Sequence, residues 1–401
     1  METVQARDEV YEKNILDRLA DTLVDGIAFI IDKVRPGWRT RNEAKLTEYK
    51  LMLYTLNRSP PGLLGLVLIL GFVFVALFGP LLAPLSYDTP LVFCNYKKAY
   101  LAAPGTVIMV PQDCTGCSTV EECLELGIPP GKYTLIFGTD DYGRDLYSRL
   151  LYGARTSFIV TVLTMAVGPL IGILLGLVAG YYGGIVDEII MRITDIFLAF
   201  PGLILAIAFS AVLPYRISGI LRENVVLRDF LLWLFAVKPE HAPSLSYLVS
   251  VVIALWVVWW PGYARLVRGA VLSAREATFV EAARALGVPV RRILFKHILP
   301  QPTVSGPLLA YLTTDMGTVI LVEAGLSFLG VGAVPPLADW GRMIYDGAQY
   351  FPNAWWLVFY PGLAIFLTTL GFYLFGDTLR DILDPKTRRR IKFKLKRGVE
   401  A

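Results

Sequence analysis

The sequence predicts an all-α membrane protein. Six transmembrane helices are expected, with a polar helical loop between spans four and five and a cysteine-containing external loop after span one. Three observations carry this reading. The 401 residues are 55% hydrophobic, and the mean hydropathy is +0.54, too apolar for a soluble globular chain. The apolar residues gather in six runs rather than spreading along the chain. Positive charge is concentrated in alternate connecting segments. Transmembrane β-strands would be short and alternate in polarity, a pattern this chain lacks.

Residues 1–60 come first. They are polar and charged, with no short apolar core and small-residue cleavage site, so no cleaved signal peptide is expected. Val10, Ile15, Leu19, Leu23 and Ile27 recur at roughly helical spacing among Asp17, Arg18, Asp21 and Asp25. That pattern predicts an amphipathic helix lying on the membrane or on a neighbouring subunit. Pro60-Pro61-Gly62 breaks the chain just before the first span, residues 63–83, which would act as an uncleaved signal anchor.

An external insertion, residues 85–137, follows and holds all four cysteines: Cys94, Cys114, Cys117 and Cys123. Two disulfides are expected, in one of three pairings. The Cys114-Thr-Gly-Cys117 spacing also suits half of a zinc site, and free thiols are the third alternative. Spans two to six are placed at residues 156–182, 196–213, 245–262, 304–331 and 355–376. Residues 214–243 read as a second external insertion with Arg216, Arg222, Arg228 and Lys238.

Orientation follows from the cationic residues. The segment between spans four and five carries Arg265, Arg268, Arg275, Arg284, Arg291, Arg292 and Lys296, and residues 386–401 form a basic tail. The loop between the last two spans contributes only Arg342. The positive-inside rule puts both termini and the 276–300 loop in the cytoplasm. A juxtamembrane anchor near anionic lipid accounts for the tail better than a nucleic-acid-binding arm. Membrane lipid is thus an expected partner and nucleic acid is not.

Within the polar loop, Glu281, Ala282, Ala283 and Arg284 sit on a predicted short helix. Gly287 suits a left-handed helix end, and Pro289 the first turn of the next helix. Leu299 and Pro300 close the segment. Pattern alone serves a docking lever and an ordinary amphipathic loop helix equally well. Among the spans, Asp315 and Glu323 are acids in the fifth, where an unpaired charge is expensive. They are candidates for the pathway or gating, with pairing or packing the preferred role. Arg192 and Asp195, three apart, are expected to pair with each other. Gly168, Gly172, Gly176 and Gly180 form a face for close helix packing. No Gly-x-x-x-x-Gly-Lys-Ser/Thr phosphate loop occurs, and the two histidines, His241 and His297, are expected on opposite sides of the membrane. No catalytic residue, bound cofactor or metal site is expected in this chain.

The run Glu281-Ala-Ala-Arg-Ala-Leu-Gly287, closing on His297-Ile-Leu-Pro300, resembles the Glu-Ala-Ala (EAA) loop of permease subunits in ATP-driven (ABC) importers. Gly138-Thr-Asp-Asp-Tyr-Gly-Arg-Asp145, Trp260-Pro-Gly-Tyr-Ala-Arg265, Ser327-Phe-Leu-Gly330, Asp339-Trp-Gly341 and Gly376-Asp-Thr-Leu-Arg380 extend the resemblance across residues 63–385. They are similar to the C-type permease of the oligopeptide, dipeptide and nickel branch. The resemblance implies a non-catalytic subunit in a prokaryotic plasma (inner) membrane, forming half of a pathway with a homologous second permease. It further implies two ABC ATPase subunits, which bind ATP and Mg and dock on Glu281, Ala282, Ala283, Arg284, Gly287, Leu299 and Pro300. An extracytoplasmic solute-binding protein would deliver di- or oligopeptides, with oligosaccharides or nickel as the alternative cargo. A proton-coupled secondary transporter using Asp315 or Glu323 is the rival class. It leaves the Glu281 loop unexplained.

Overall fold

In the computed structural model the described residues are 14–89, 100–110 and 131–383. Cys94, Cys114, Cys117, Cys123 and the basic tail lie outside them. Among the described residues six helices are long and apolar enough to cross a membrane: Pro60–Leu82, Leu146–Tyr182, Gly202–Glu223, Pro239–Ala274, Pro302–Phe328 and Trp356–Leu383. In chain order the α-helices are α1 (Ile15–Val34), α2 (Trp38–Arg41), α3 (Glu43–Asn57), α4 (Pro60–Leu82), α5 (Leu146–Tyr182), α6 (Gly184–Ala199), α7 (Gly202–Glu223), α8 (Val225–Phe235), α9 (Ala242–Ala274), α10 (Thr278–Ala285), α11 (Val290–Arg292), α12 (Pro302–Phe328), α13 (Trp340–Ala348) and α14 (Trp356–Leu383). Strands β1 (Thr106–Val110) and β2 (Gly131–Leu135) pair antiparallel, Thr106 opposite Leu135 and Val110 opposite Gly131. They bracket the segment with three of the cysteines and depart from an all-helical reading.

The described residues divide into two compact units. One comprises the chain up to Val67, Glu276–Thr314 and the chain from Tyr373; the other comprises Leu68–Arg275 and Asp315–Phe372. The second unit is organised by α5 against α9. At 37 residues, α5 is about 55 Å long, well beyond the roughly 30 Å hydrocarbon layer. Its glycines at 168, 172, 176 and 180 recur every four residues and face α9. A Cβ on Gly176 would sit 2.6 Å from the Ala264 carbonyl oxygen, and one on Gly180 2.8 Å from Val271. Helix association inside lipid depends on such close packing, because the surrounding acyl chains are as apolar as the helices. The glycine face is therefore a packing face, as its spacing implied.

Two core clusters fill this unit. Leu245, Leu248, Val251 and Leu255 of α9 pack with Val160, Val319 and Leu326. Phe72, Leu146, Ile320, Trp340, Leu357 and Phe372 form the other. In the first unit, the beginning of α4 meets the end of α14, where Gly62 lies against Thr378 and the Ser59 and Thr378 hydroxyls are 3.2 Å apart. Gly376 approaches the backbone of Thr314. The Gly376-Asp-Thr run thus serves close packing.

One sequence expectation needs correction. The third span does not begin at residue 196: Phe200 is extended, α6 stops at Ala199, and the span restarts at Gly202. Pro201 is the cause, since the residue before a proline is pushed out of the helical region. The segment read as a second external insertion, 214–243, is mostly helical. Pro214 lies inside α7, and α8 follows with Asn224 capping it through Leu227 N–H at 3.0 Å.

Candidate functional site

The segment 276–300 is built from a short helix, a tight turn and a second helical piece. On α10, Val280 and Ala283 are buried, while Glu281, Ala282, Arg284 and Ala285 are exposed, as is Leu286 just beyond. The turn satisfies the orphan carbonyls of α10 with two bonds. Val288 N–H donates to the Ala283 carbonyl at 3.0 Å and Gly287 N–H to that of Arg284 at 3.0 Å. This six-to-one and five-to-two pairing requires a left-handed residue between, and Gly287 has φ +69°. No atom lies within 4 Å of a Cβ built there, so the glycine is needed for its backbone and not for space.

Beyond Pro289, α11 runs into a π-helical turn, Ile293–Ile298, whose Ile293, Leu294 and Ile298 are buried. Leu299 N–H donates to the Leu294 carbonyl at 2.9 Å. Leu299 is half-buried and Pro300 exposed. Such π turns are uncommon and recur at functional positions. The loop therefore presents Glu281, Ala282, Arg284, Ala285 and Leu286 outward, above an apolar underside.

In the other unit, Asp187 of α6 receives both Arg268 Nε at 2.5 Å and Nη2 at 2.6 Å. These bonds hold the Asp187 carboxyl below its ordinary range. Asp195 pairs with Arg265 at 2.6 Å, and Arg192 with Glu188 at 3.7 Å. The expected Arg192–Asp195 pair is absent among the described ion pairs, because α9 brings a better-placed guanidinium to Asp195.

Asp315 accepts from Trp259 Nε1 at 2.6 Å and Tyr263 Oη at 2.8 Å, joining α12 to α9. Glu323 is 1% exposed; Ser157 donates to its Oε2 at 3.0 Å, while its Oε1 is buried with no hydrogen-bond partner among the described residues. Both acids are thus placed in side-chain pairings between helices.

The other motif runs cap and clamp helices. Asp140 accepts from Arg144 N–H and Nε at 2.9 and 2.7 Å, and Asp145 caps α5 through Ser148 N–H at 2.8 Å. Burial pushes the Asp145 carboxyl up. Asp339 caps α13 through Arg342 N–H, and Trp340 Nε1 reaches the Leu150 carbonyl at 3.0 Å. Gly330, with φ +81°, closes α12.

Two arrangements escaped the sequence reading. Arg149 is fully buried and donates to the carbonyls of Tyr87, Pro336 and Leu337 at 2.8, 3.2 and 3.3 Å, tying three distant segments together. His241 Nε2 lies 2.8 Å from Asp88 and 3.5 Å from Glu240. Lys238 Nζ stands 2.8 Å from the other Asp88 oxygen, so the cluster already holds a cation. Burial raises the Asp88 carboxyl, but hydrogen bonds from Lys238, Ser86 and His241 outweigh it and leave the group below its ordinary value.

Comparison with known proteins fits this architecture. Residues 172–389 match the family described as the inner membrane component of binding-protein-dependent transport systems. Residues 47–104 match the N-terminal transmembrane domain of oligopeptide transport permease C. The chain belongs to this family of membrane transport permeases and is a multi-pass inner-membrane component. Its relatives include the dipeptide transport system permease protein DppC of Alkalihalophilus pseudofirmus, 36% identical over 83% of this chain and 88% of the relative. The oligopeptide transport system permease protein OppC of Bacillus subtilis is 32% identical over 87% and 93%. The di/tripeptide transport system permease protein DppC of Pseudomonas aeruginosa is 35% identical over 81% and 88%.

Proposed function

We propose that this chain is the permease subunit of an ATP-driven importer for di- or oligopeptides, coupled to its motor through residues 276–300. The observation that carries the reading is the exposed Glu281–Leu286 surface closed by the Gly287 turn, in a chain whose near full-length relatives are named as dipeptide, di/tripeptide and oligopeptide permeases. Small side chains at Ala282 and Ala285 allow close approach of another protein, while Glu281 and Arg284 offer polar contacts. Leu299 and Pro300 end the loop where α12 is about to begin. In this reading two partner ATPases bind ATP and Mg and dock here, a homologous second permease completes the pathway, and an extracytoplasmic binding protein delivers the peptide. Residues 1–60, the loop and the 386–401 tail face the cytoplasm. The subunit works by changing which side of the barrier is open, and makes no covalent bond.

The test is the energy source. In vesicles containing the whole complex, peptide uptake is expected to persist when the proton gradient is collapsed and to stop when ATP is withheld. Uptake by this chain alone, driven by a pH gradient without ATP, would overturn the reading in favour of a secondary transporter.

The 85–137 segment is proposed to lie outside the cytoplasm with its four cysteines oxidised in pairs, because they share one external loop. A membrane-impermeant thiol reagent on intact cells is expected to label Cys94, Cys114, Cys117 and Cys123 only after reduction. Labelling without reductant would mean free thiols, and labelling released by a chelator would mean bound metal.

A further inference from the structure

The helices α1 and α3 are joined in a hairpin whose polarity is the reverse of what water would select. An amphipathic helix in a soluble hairpin turns its apolar stripe inward and its charges outward. Here the acids of α1 face the rest of the hairpin. Asp17 accepts from Asn57 Nδ2 at 3.2 Å, Asp21 from the Tyr54 hydroxyl, and Asp25 from Lys50 Nζ at 2.8 Å. Arg39 reaches Asp25 at 3.0 Å, and its backbone N–H reaches Asp32 at 2.9 Å. Asn14 and Asp17 also form a reciprocal cap at the helix start. Ala20, Leu51 and Tyr54 make a small buried cluster.

The apolar stripe of α1 is left outside. Leu16, Leu19, Leu23, Ile27, Ile30 and Val34 follow one another at spacings of three and four, and each is exposed, from 46% for Leu16 to 78% for Val34. A continuous apolar stripe of this length marks an interaction surface.

We infer that this stripe docks α1 flat on an anionic lipid surface, on the side of the membrane where α4 begins. Three observations select lipid as the occupant. First, α3 ends at Asn57 and α4 starts at Pro60, so only Arg58 and Ser59 separate the hairpin from a membrane-crossing helix. At about 3.5 Å per residue, that tether holds the hairpin at the bilayer boundary. Second, the acids at 17, 21, 25 and 32 are engaged within the hairpin, while exposed Lys33, Arg35, Arg41 and Lys45 outnumber the exposed acids Glu43 and Glu48. The exposed surface of the hairpin is therefore apolar along the α1 stripe and cationic on balance, the combination that suits headgroups of negative charge above acyl chains. Third, α1 precedes the matched family segments at 47–104 and 172–389, so the stripe is additional to the surfaces that segment of the family uses. The proposal extends the amphipathic reading of residues 10–27 by assigning the face, the extent and the ligand chemistry.

The complete transporter complex in nanodiscs provides the test. The photo-crosslinking residue p-benzoylphenylalanine is placed at Leu23, at Ile27 and, as a control on another face of α1, at Arg18. All three positions are exposed, so the hairpin contacts survive, and assembly is checked by the size of the purified complex. With phosphatidylglycerol present, the first two positions are expected to give phospholipid adducts several-fold above the third, read by mass spectrometry. The Leu23 yield should fall several-fold in pure phosphatidylcholine. Equal lipid labelling at all three positions would overturn the proposal. So would adducts at Leu23 and Ile27 dominated by another subunit or a second copy of this chain, or a yield indifferent to lipid charge.

Discussion

Replacing Gly176 by leucine is expected to abolish the assembled protein, leaving it unextractable as a monodisperse complex in mild detergent. Even the Cβ would lie 2.6 Å from the Ala264 carbonyl oxygen, 2.9 Å from Val267 Cβ and 3.0 Å from Arg268 N. Two of those three atoms are backbone, and backbone inside a long helix cannot step aside without breaking its own ladder. Overpacking typically costs about 1–3 kcal/mol where side chains can rearrange. Here α9 would have to move bodily, and Gly172 and Gly180 face α9 in the same close register. Gly176→Ala should therefore already lower the thermal midpoint, and Gly176→Leu should eliminate the folded fraction. Gly71 and Gly362 have no atom within 4 Å of a built Cβ and provide controls expected to fold as alanine variants. A stable Gly176→Leu complex with normal uptake would show that α5 and α9 are not held by this face.

The second large effect is functional rather than structural. Gly287→Val is expected to leave the complex assembled but strip substrate-stimulated ATP hydrolysis and uptake. The turn needs φ near +69°, where L side chains are disfavoured by about 1–2 kcal/mol, and β-branched ones most. Since no neighbour crowds a Cβ there, the damage stays in the turn that sets the angle between α10 and α11. The series should run Gly287→Asn mildest, Gly287→Ala intermediate and Gly287→Val worst, because Asn tolerates the left-handed region. Full coupling in Gly287→Val would remove the loop from the proposed motor contact, even though the family membership of the chain would stand.

Much of this was legible in the sequence because hydropathy and helical spacing are local. The six apolar runs each became a helix, and the four-residue glycine repeat announced close packing before any partner was known. Gly287 announced its turn, since few other residues occupy that backbone region without strain. The boundary of the third span was not legible from composition: residues 196–213 are uniformly apolar, and only the single Pro201 ends α6 and restarts the chain at α7.

Pairing was the least legible. Spacing nominated Arg192 for Asp195, yet Asp195 bonds Arg265, which is 70 residues away. Nothing local to Arg149 tells that Tyr87, Pro336 and Leu337 will surrender their carbonyls to it. His241 was set aside on its expected location, and folding brought it beside Asp88. The sequence by itself determined the number of spans, the exposed polar loop and the positions where backbone must be glycine. Each of those depends on transfer to lipid or on the torsions of one residue. Only the tertiary structure decided which buried charge meets which partner, and that α1 turns its acids inward. Those outcomes depend on geometry among segments far apart in the chain, and a buried polar group is stable only where that geometry supplies a partner.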